Sequence, residues 1–182
     1  MSYIDLPADI PGIRGPLNAF PETGGALSSF TQQLLRGKSS LTPAERELIA
    51  ASVSQANECR FCTLSHSAAA KNLFSEHDVH FVNQVVFEHD TSELSAKMSA
   101  LIDIALAVQK SGKLVSQEQI DKARSAGADD KALHDTVLIA AAFCMFNRYV
   151  DGLATWTPDN AGIYEEIGKR LATNGYNSPS RE

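Results

Sequence analysis

Long apolar runs are missing from this sequence. A membrane-crossing helix needs roughly 18 consecutive apolar residues. The longest apolar run here, residues 137–146, stops far short and contains Cys144. A secretory leader is not expected either, because residues 1–15 hold Asp5, Pro7, Asp9 and Pro11 and no apolar block. Clustered Lys and Arg are also lacking. The 16 Lys and Arg are outnumbered by 22 Asp and Glu, for a formal charge of -6, and phosphate binding requires concentrated positive charge. The nearest thing to a basic group, Arg36 with Lys38, reads as a solvated pair in a loop. Neither nucleic acid nor a membrane is expected as a partner. Cysteine is scarce, at three residues. Without an export signal the expected compartment is the reducing cytoplasm, where a close Cys pair serves chemistry or metal binding rather than stapling a fold.

Adjacent stretches of alternating polarity are absent, and the strong punctuation that is present is helical. Thr42 is a suitable N-cap, Pro43 suits the first helical position, and Glu45 completes a capping box. No hydrophobic staple joins Leu41 to Arg46. The helix then passes Leu48, Ile49 and Val53 until Asn57 breaks it. A second helix is expected from Cys62 toward Leu73, and a third over residues 76–87. Thr91 or Ser92 is expected to open a long helix that Gly112 ends. Ser116 and Gln119 form another capping box, for a short helix stopped by Gly127. Asp129 or Asp130 caps a last long helix running toward Leu153, and residues 162–171 form a final turn or helix before a polar tail. The expected class is an all-α helical bundle in one domain. Residues 1–40, punctuated by Pro7, Pro11, Pro16 and Pro21, read as an extended arm with one short helix over residues 25–36. Residues 41–160 make the helical core, and residues 161–182 a C-terminal helix and tail.

The chemistry-bearing segment is Asn57-Glu58-Cys59-Arg60-Phe61-Cys62-Thr63-Leu64-Ser65-His66. At i,i+3 spacing on a helix or turn, two cysteines come within the Cα range of about 4.4–6.8 Å that a disulfide tolerates. A Cys62 in the first helical turn would have its thiolate favoured by unpaired backbone N–H groups and the helix dipole. His66, four residues on, shares the same helix face and can relay a proton. Structural zinc is the rival reading, but Cys59, Cys62 and His66 supply only three of four ligands. A bland reading makes both cysteines core residues, and that reading suits Cys144, between Phe143 and Met145. Glu47, twelve residues before Cys59, reads from spacing alone as a solvated glutamate, and periodicity does not separate it from Glu45 and Glu58. His77, His80, His89 and His134 show no ligand pattern beyond His77-x-x-His80.

Taken together, Leu41-Thr42-Pro43-Ala44-Glu45-Arg46-Glu47-Leu48-Ile49-Ala50, then Ser54-Gln55-Ala56-Asn57-Glu58 and CxxCxxxH, resemble the AhpD-like alkylhydroperoxidases of the carboxymuconolactone decarboxylase family. The shared pattern is a Glu, eleven intervening residues, then the CxxCxxxH motif, which Glu47, Cys59, Cys62 and His66 fit without a gap. Phe146-Asn147-Arg148 with Asp151 resembles the peroxidase-related branch. The resemblance implies an AhpD-like helical bundle, a homo-oligomer (a trimer or a hexamer) and a thiol peroxidase without a metal or organic cofactor. Glu47 would act through His66 on Cys62, whose sulfenic acid would condense with Cys59, and a dithiol, in the family a lipoyl-bearing protein, would restore the thiols. A buried Glu47 would have a raised pKa and serve as a base. Some members carry a His directly before the second Cys, where this chain has Phe61. A general thiol-disulfide oxidoreductase, a redox-sensing helical module and a lactone decarboxylase are the alternatives.

Overall fold

The computed structural model describes residues 2–75 and 79–176, and all regular structure among them is helical. In chain order the helices are α1 (Arg14–Ala19), α2 (Pro21–Arg36), α3 (Pro43–Ala56), α4 (Arg60–Leu73), α5 (Phe81–Asn83), α6 (Ala96–Lys110), α7 (Gln117–Ser125), α8 (Asp130–Gly152) and α9 (Ala161–Asn174). The N-terminal region is more helical than the extended arm expected. Pro16 lies in the first turn of α1, and Pro21 opens α2 at its first position. The N–H that proline lacks has no intrahelical partner there, so these prolines start helices instead of breaking them. Arg36 accordingly ends a helix and is not in a loop.

The α3 capping box forms as the residues require: Glu45 N donates to Thr42 Oγ1 at 3.2 Å, and Thr42 N to Glu45 Oε2 at 2.7 Å. Leu48, Ile49, Ala50, Ala51 and Val53 are all fully buried, because α3 is surrounded by α4, α6 and α8. Its polar residues are satisfied locally or across helices. Ser52 donates back to Leu48 O, and Arg46 Nη1 donates to Leu34 O and Gly37 O at the C-terminal end of α2. That placement sets a cation against the negative end of the α2 dipole. Asn57, Asn147, Ser54 and Gln109 form a chain of side-chain hydrogen bonds linking α3, α6 and α8.

Several boundaries differ from the sequence expectation. α6 starts at Ala96, capped by Ser95 Oγ, because Thr91 Oγ1 is engaged by Ser99 Oγ and Asp90 Oδ1 holds Ser92 N in a turn. It ends before Ser111, which is extended, and Gly112 opens a short 3-10 turn. Residues 76–78, where the third helix was expected to begin, lie outside the described residues, as does His77. The remainder is α5 running into a π-helical turn over Gln84–Glu88, closed by left-handed His89. α9 outruns its expected end by three residues, reaching Asn174.

α9 packs on α4 through small residues. A Cβ at Gly168 would come within 2.5 Å of Ala68 Cβ and 2.6 Å of its backbone carbon. Gly168→Val is therefore expected to cost about 1–3 kcal/mol by overpacking, read as a lower urea midpoint with an unchanged m-value.

Candidate active site

Glu47 on α3 and His66 on α4 meet because the two helices form an antiparallel hairpin. Glu47 is ten residues before Asn57 and His66 nine after it (57 − 47 and 66 − 57), so each is nearly the same distance from the turn. The turn requires Glu58 in the left-handed region, at φ 60°. Cys59 N donates to Ser54 O at 3.0 Å, and Cys59 becomes the N-cap of α4. Cys62 falls in the first turn. Its sulfur is 3.0 Å from that of Cys59, with both cysteines buried and unbridged.

The two sulfurs have different surroundings. Cys62 reaches the wall of a cavity of about 560 Å³, together with Phe61, Ser65, His66 and Tyr176, whereas Cys59 lies behind it. The Cys59 thiol is pushed far up, by its hydrogen bond to Cys62 first, then by burial and the charge that Cys62 can carry. The Asp151 carboxyl is close enough to Cys59 to influence it, and burial raises the pKa of that carboxyl. Ser65 Oγ is buried, lines the cavity and has no hydrogen-bond partner among the described residues.

Glu47 is fully buried and three groups converge on it. His66 Nδ1 is 2.6 Å from Oε2, while Arg36 Nη2 and the Tyr176 hydroxyl reach Oε1 at 2.5 and 2.6 Å. Burial pushes the carboxyl pKa up, but the charge and hydrogen bond of His66, the Arg36 charge and the Tyr176 hydroxyl outweigh it, and the net direction is down. This corrects the expected raised pKa: desolvation was counted and the partners were not. Glu47 is a fixed anion that orients His66, not a base poised near neutrality. Among the described residues, His66 Nε2 is left without a hydrogen-bond partner. No hydrogen bond joins His66 directly to Cys62 among the described residues, although both line the cavity.

The structure thus brings Cys59, Cys62, His66 and Glu47 together. It adds Arg36, read in sequence as solvated, and Tyr176, assigned to the polar tail. Tyr176 is held by its N–H to Gln32 Oε1 at 2.7 Å, and the Arg36 guanidinium lies 5.2 Å from the centre of its ring. The sequence signal for Tyr176 was slight: a lone aromatic after Gly175 in a polar segment. Burial and the Glu47 charge raise its pKa, so it stays a donor. Tyr176→Phe is expected to cost roughly 1.5–3 kcal/mol, the worth of a hydrogen bond to a charged group, measurable by urea denaturation. Cys144 is only partly buried and lies beside Asn57, away from the other cysteines. Among the described residues no group of three or more His, Cys, Asp or Glu is placed to hold a metal ion. No helix among them is long and apolar enough to cross a membrane.

An uncharacterized peroxidase-related protein from Silicibacter sp. TM1040 has a similar structure, with TM-score 0.76 and 23% identity over 90% of this chain and 94% of that one. So does an uncharacterized peroxidase-related protein from Ralstonia eutropha JMP134 described as an alkylhydroperoxidase AhpD core, with TM-score 0.76 and 24% identity over 88% and 82% of the two chains. At that identity the likeness concerns the fold. Residues 21–80, which include Glu47 and the CxxCxxxH motif, match the carboxymuconolactone decarboxylase family. That match spans 60 of the 182 residues (21 through 80), and it is this segment that is similar to the family. No curated protein matches the sequence. Phe61 is a buried wall of the cavity. It packs against Tyr164 with ring centres 6.0 Å apart, and Gly12, at φ +56°, leaves room for its ring.

Proposed function

We propose that the protein is a thiol-dependent peroxidase that reduces hydroperoxides through Cys62, Cys59, His66 and Glu47. The observation that carries this reading is a pair of sulfurs 3.0 Å apart of which one, Cys62, faces a cavity shared with a histidine held by a buried carboxylate. His66 Nε2, through a water, takes the Cys62 proton, and the imidazolium is stabilised by Glu47. The Cys62 thiolate attacks the distal oxygen of the hydroperoxide. An S–O bond forms, the O–O bond breaks, and the alkoxide takes the proton back and leaves as alcohol. Sulfur is oxidised to sulfenic acid as the peroxide is reduced. Cys59 then displaces hydroxide from Cys62–SOH, giving the disulfide and, with the Cys59 proton, water. Asp151, beside Cys59, can relay that proton to the leaving hydroxide.

A dithiol returns two electrons and two protons, restoring both cysteines and becoming a disulfide. Burial of Cys62, only 3% exposed, favours a slender dithiol arm such as a lipoyl group over a bulky protein disulfide, which weighs against a general disulfide reductase. Self-association, as the resemblance implies, would cover Val137 and Met145, exposed on α8. The test is turnover of cumene hydroperoxide with dihydrolipoamide, followed alongside Cys59–Cys62 disulfide formation. Oxidation that stops at one equivalent in wild type, with no catalytic cycle, would sink the proposal.

A further inference from the structure

The cavity in front of Cys62 has a second chemical feature that the sulfur cycle does not use. Its walls are largely apolar, including Leu17, Leu27, Phe143, Phe146 and Ile167, yet α1 contributes Arg14 and α9 contributes Arg170. Neither arginine has a carboxylate partner among the described residues, whereas the third arginine near the site, Arg36, is committed to Glu47. Arg170 Nε is buried and without a hydrogen-bond partner among the described residues. The two guanidinium groups are near enough to repel. Burial, then the Arg14 charge, lowers the Arg170 pKa, and only the non-acidic Tyr176 opposes it. Arg170 is half-buried and Arg14 exposed; a partly desolvated guanidinium with a second cation beside it and no carboxylate partner is ordinarily matched by an anion.

We propose that this cavity binds an aliphatic monocarboxylate, with the carboxylate on Arg170 and Arg14 and the chain against the apolar wall, so that the favoured substrates are hydroperoxides of fatty acids. The substrate clause rests on the peroxidase reading, and the binding clause does not. A guanidinium fork matches a carboxylate in shape and charge. The volume of about 560 Å³ is in the range that encloses a ligand of moderate size, whereas a small anion would leave the apolar wall uncovered. An amide-linked lipoyl arm would have no charge to offer the arginines, so they distinguish substrate from reductant.

Binding is tested without peroxide, by calorimetric titration of the full chain with dodecanoate and with dodecanol. Dodecanoate should bind at least about tenfold more tightly, and Arg170→Gln and Arg14→Gln should each remove about that factor while leaving dodecanol unchanged. Arg14 is exposed, so its variant keeps the test decisive if Arg170→Gln folds poorly. In turnover, Arg170→Gln should raise KM for a fatty-acid hydroperoxide and spare its methyl ester. Equal affinity for dodecanoate and dodecanol, or dodecanoate affinity unmoved in both variants, overturns the carboxylate site whatever the enzyme turns over. Arginine-dependent dodecanoate binding with no turnover of any hydroperoxide supports the site and removes the peroxidase reading alone.

Discussion

Cys62→Ser is expected to abolish peroxide turnover, by roughly a thousandfold or more, because a serine hydroxyl does not ionise near neutral pH and cannot form a sulfenic acid. The matched variant separates the roles of the two sulfurs. Cys59 lies behind Cys62 with its thiol pKa driven up by the Cys62 hydrogen bond and burial, which in the proposed cycle makes it the proton-bearing, resolving sulfur. Cys59→Ser should therefore keep the first chemical step and lose the cycle. One equivalent of peroxide is consumed and Cys62 accumulates as sulfenic acid, detectable by dimedone labelling and mass spectrometry. If Cys59→Ser blocked the first equivalent while Cys62→Ser retained it, the assignment of attacking and resolving sulfurs would be reversed.

Glu47→Gln is expected to lose about 10²–10⁴-fold in peroxide rate and roughly 3 kcal/mol of stability. The rate loss follows from the tautomer of His66. Glu47 Oε2 accepts from His66 Nδ1–H, leaving Nε2 free to take a proton. An amide NH₂ at that point would donate to Nδ1 and move the ring proton to Nε2, which then has no lone pair for the Cys62 proton. The stability loss follows from Arg36, whose side chain is 11% exposed and whose counter-ion disappears.

The pH dependence has a definite sign. The pKa of Glu47 is lowered on folding, so its contribution is fully present above the unfolded carboxyl value of about 4.3 and is lost as pH falls through the folded value. The stability gap between wild type and Glu47→Gln should hold from near neutrality down to about pH 5.5 and narrow in the acid range below about 4.3, as urea titrations at several pH values would reveal. A gap that widened on acidification would contradict the buried anion. So would a Glu47→Gln protein with unchanged rate.

The sequence by itself determined what local backbone chemistry controls. The all-α class, the capping boxes of α3 and α7, the Asp129 cap and the spacing that puts Cys59, Cys62 and His66 on one helical start are all set within a turn or two of chain. It misplaced α1, α2 and the start of α6. Proline begins helices as well as ending them, and Thr91 and Ser95 offer equivalent caps until one is engaged elsewhere. Only the tertiary structure decided the charge state around Glu47. Its partners Arg36 and Tyr176 are 11 and 129 residues away in the chain, and neither has a local pattern that points to it. Electrostatics depends on distance in space and on exclusion of water. A carboxylate that would be raised by burial alone is held ionised because folding brings three donors to it, and no spacing along the chain encodes that sum.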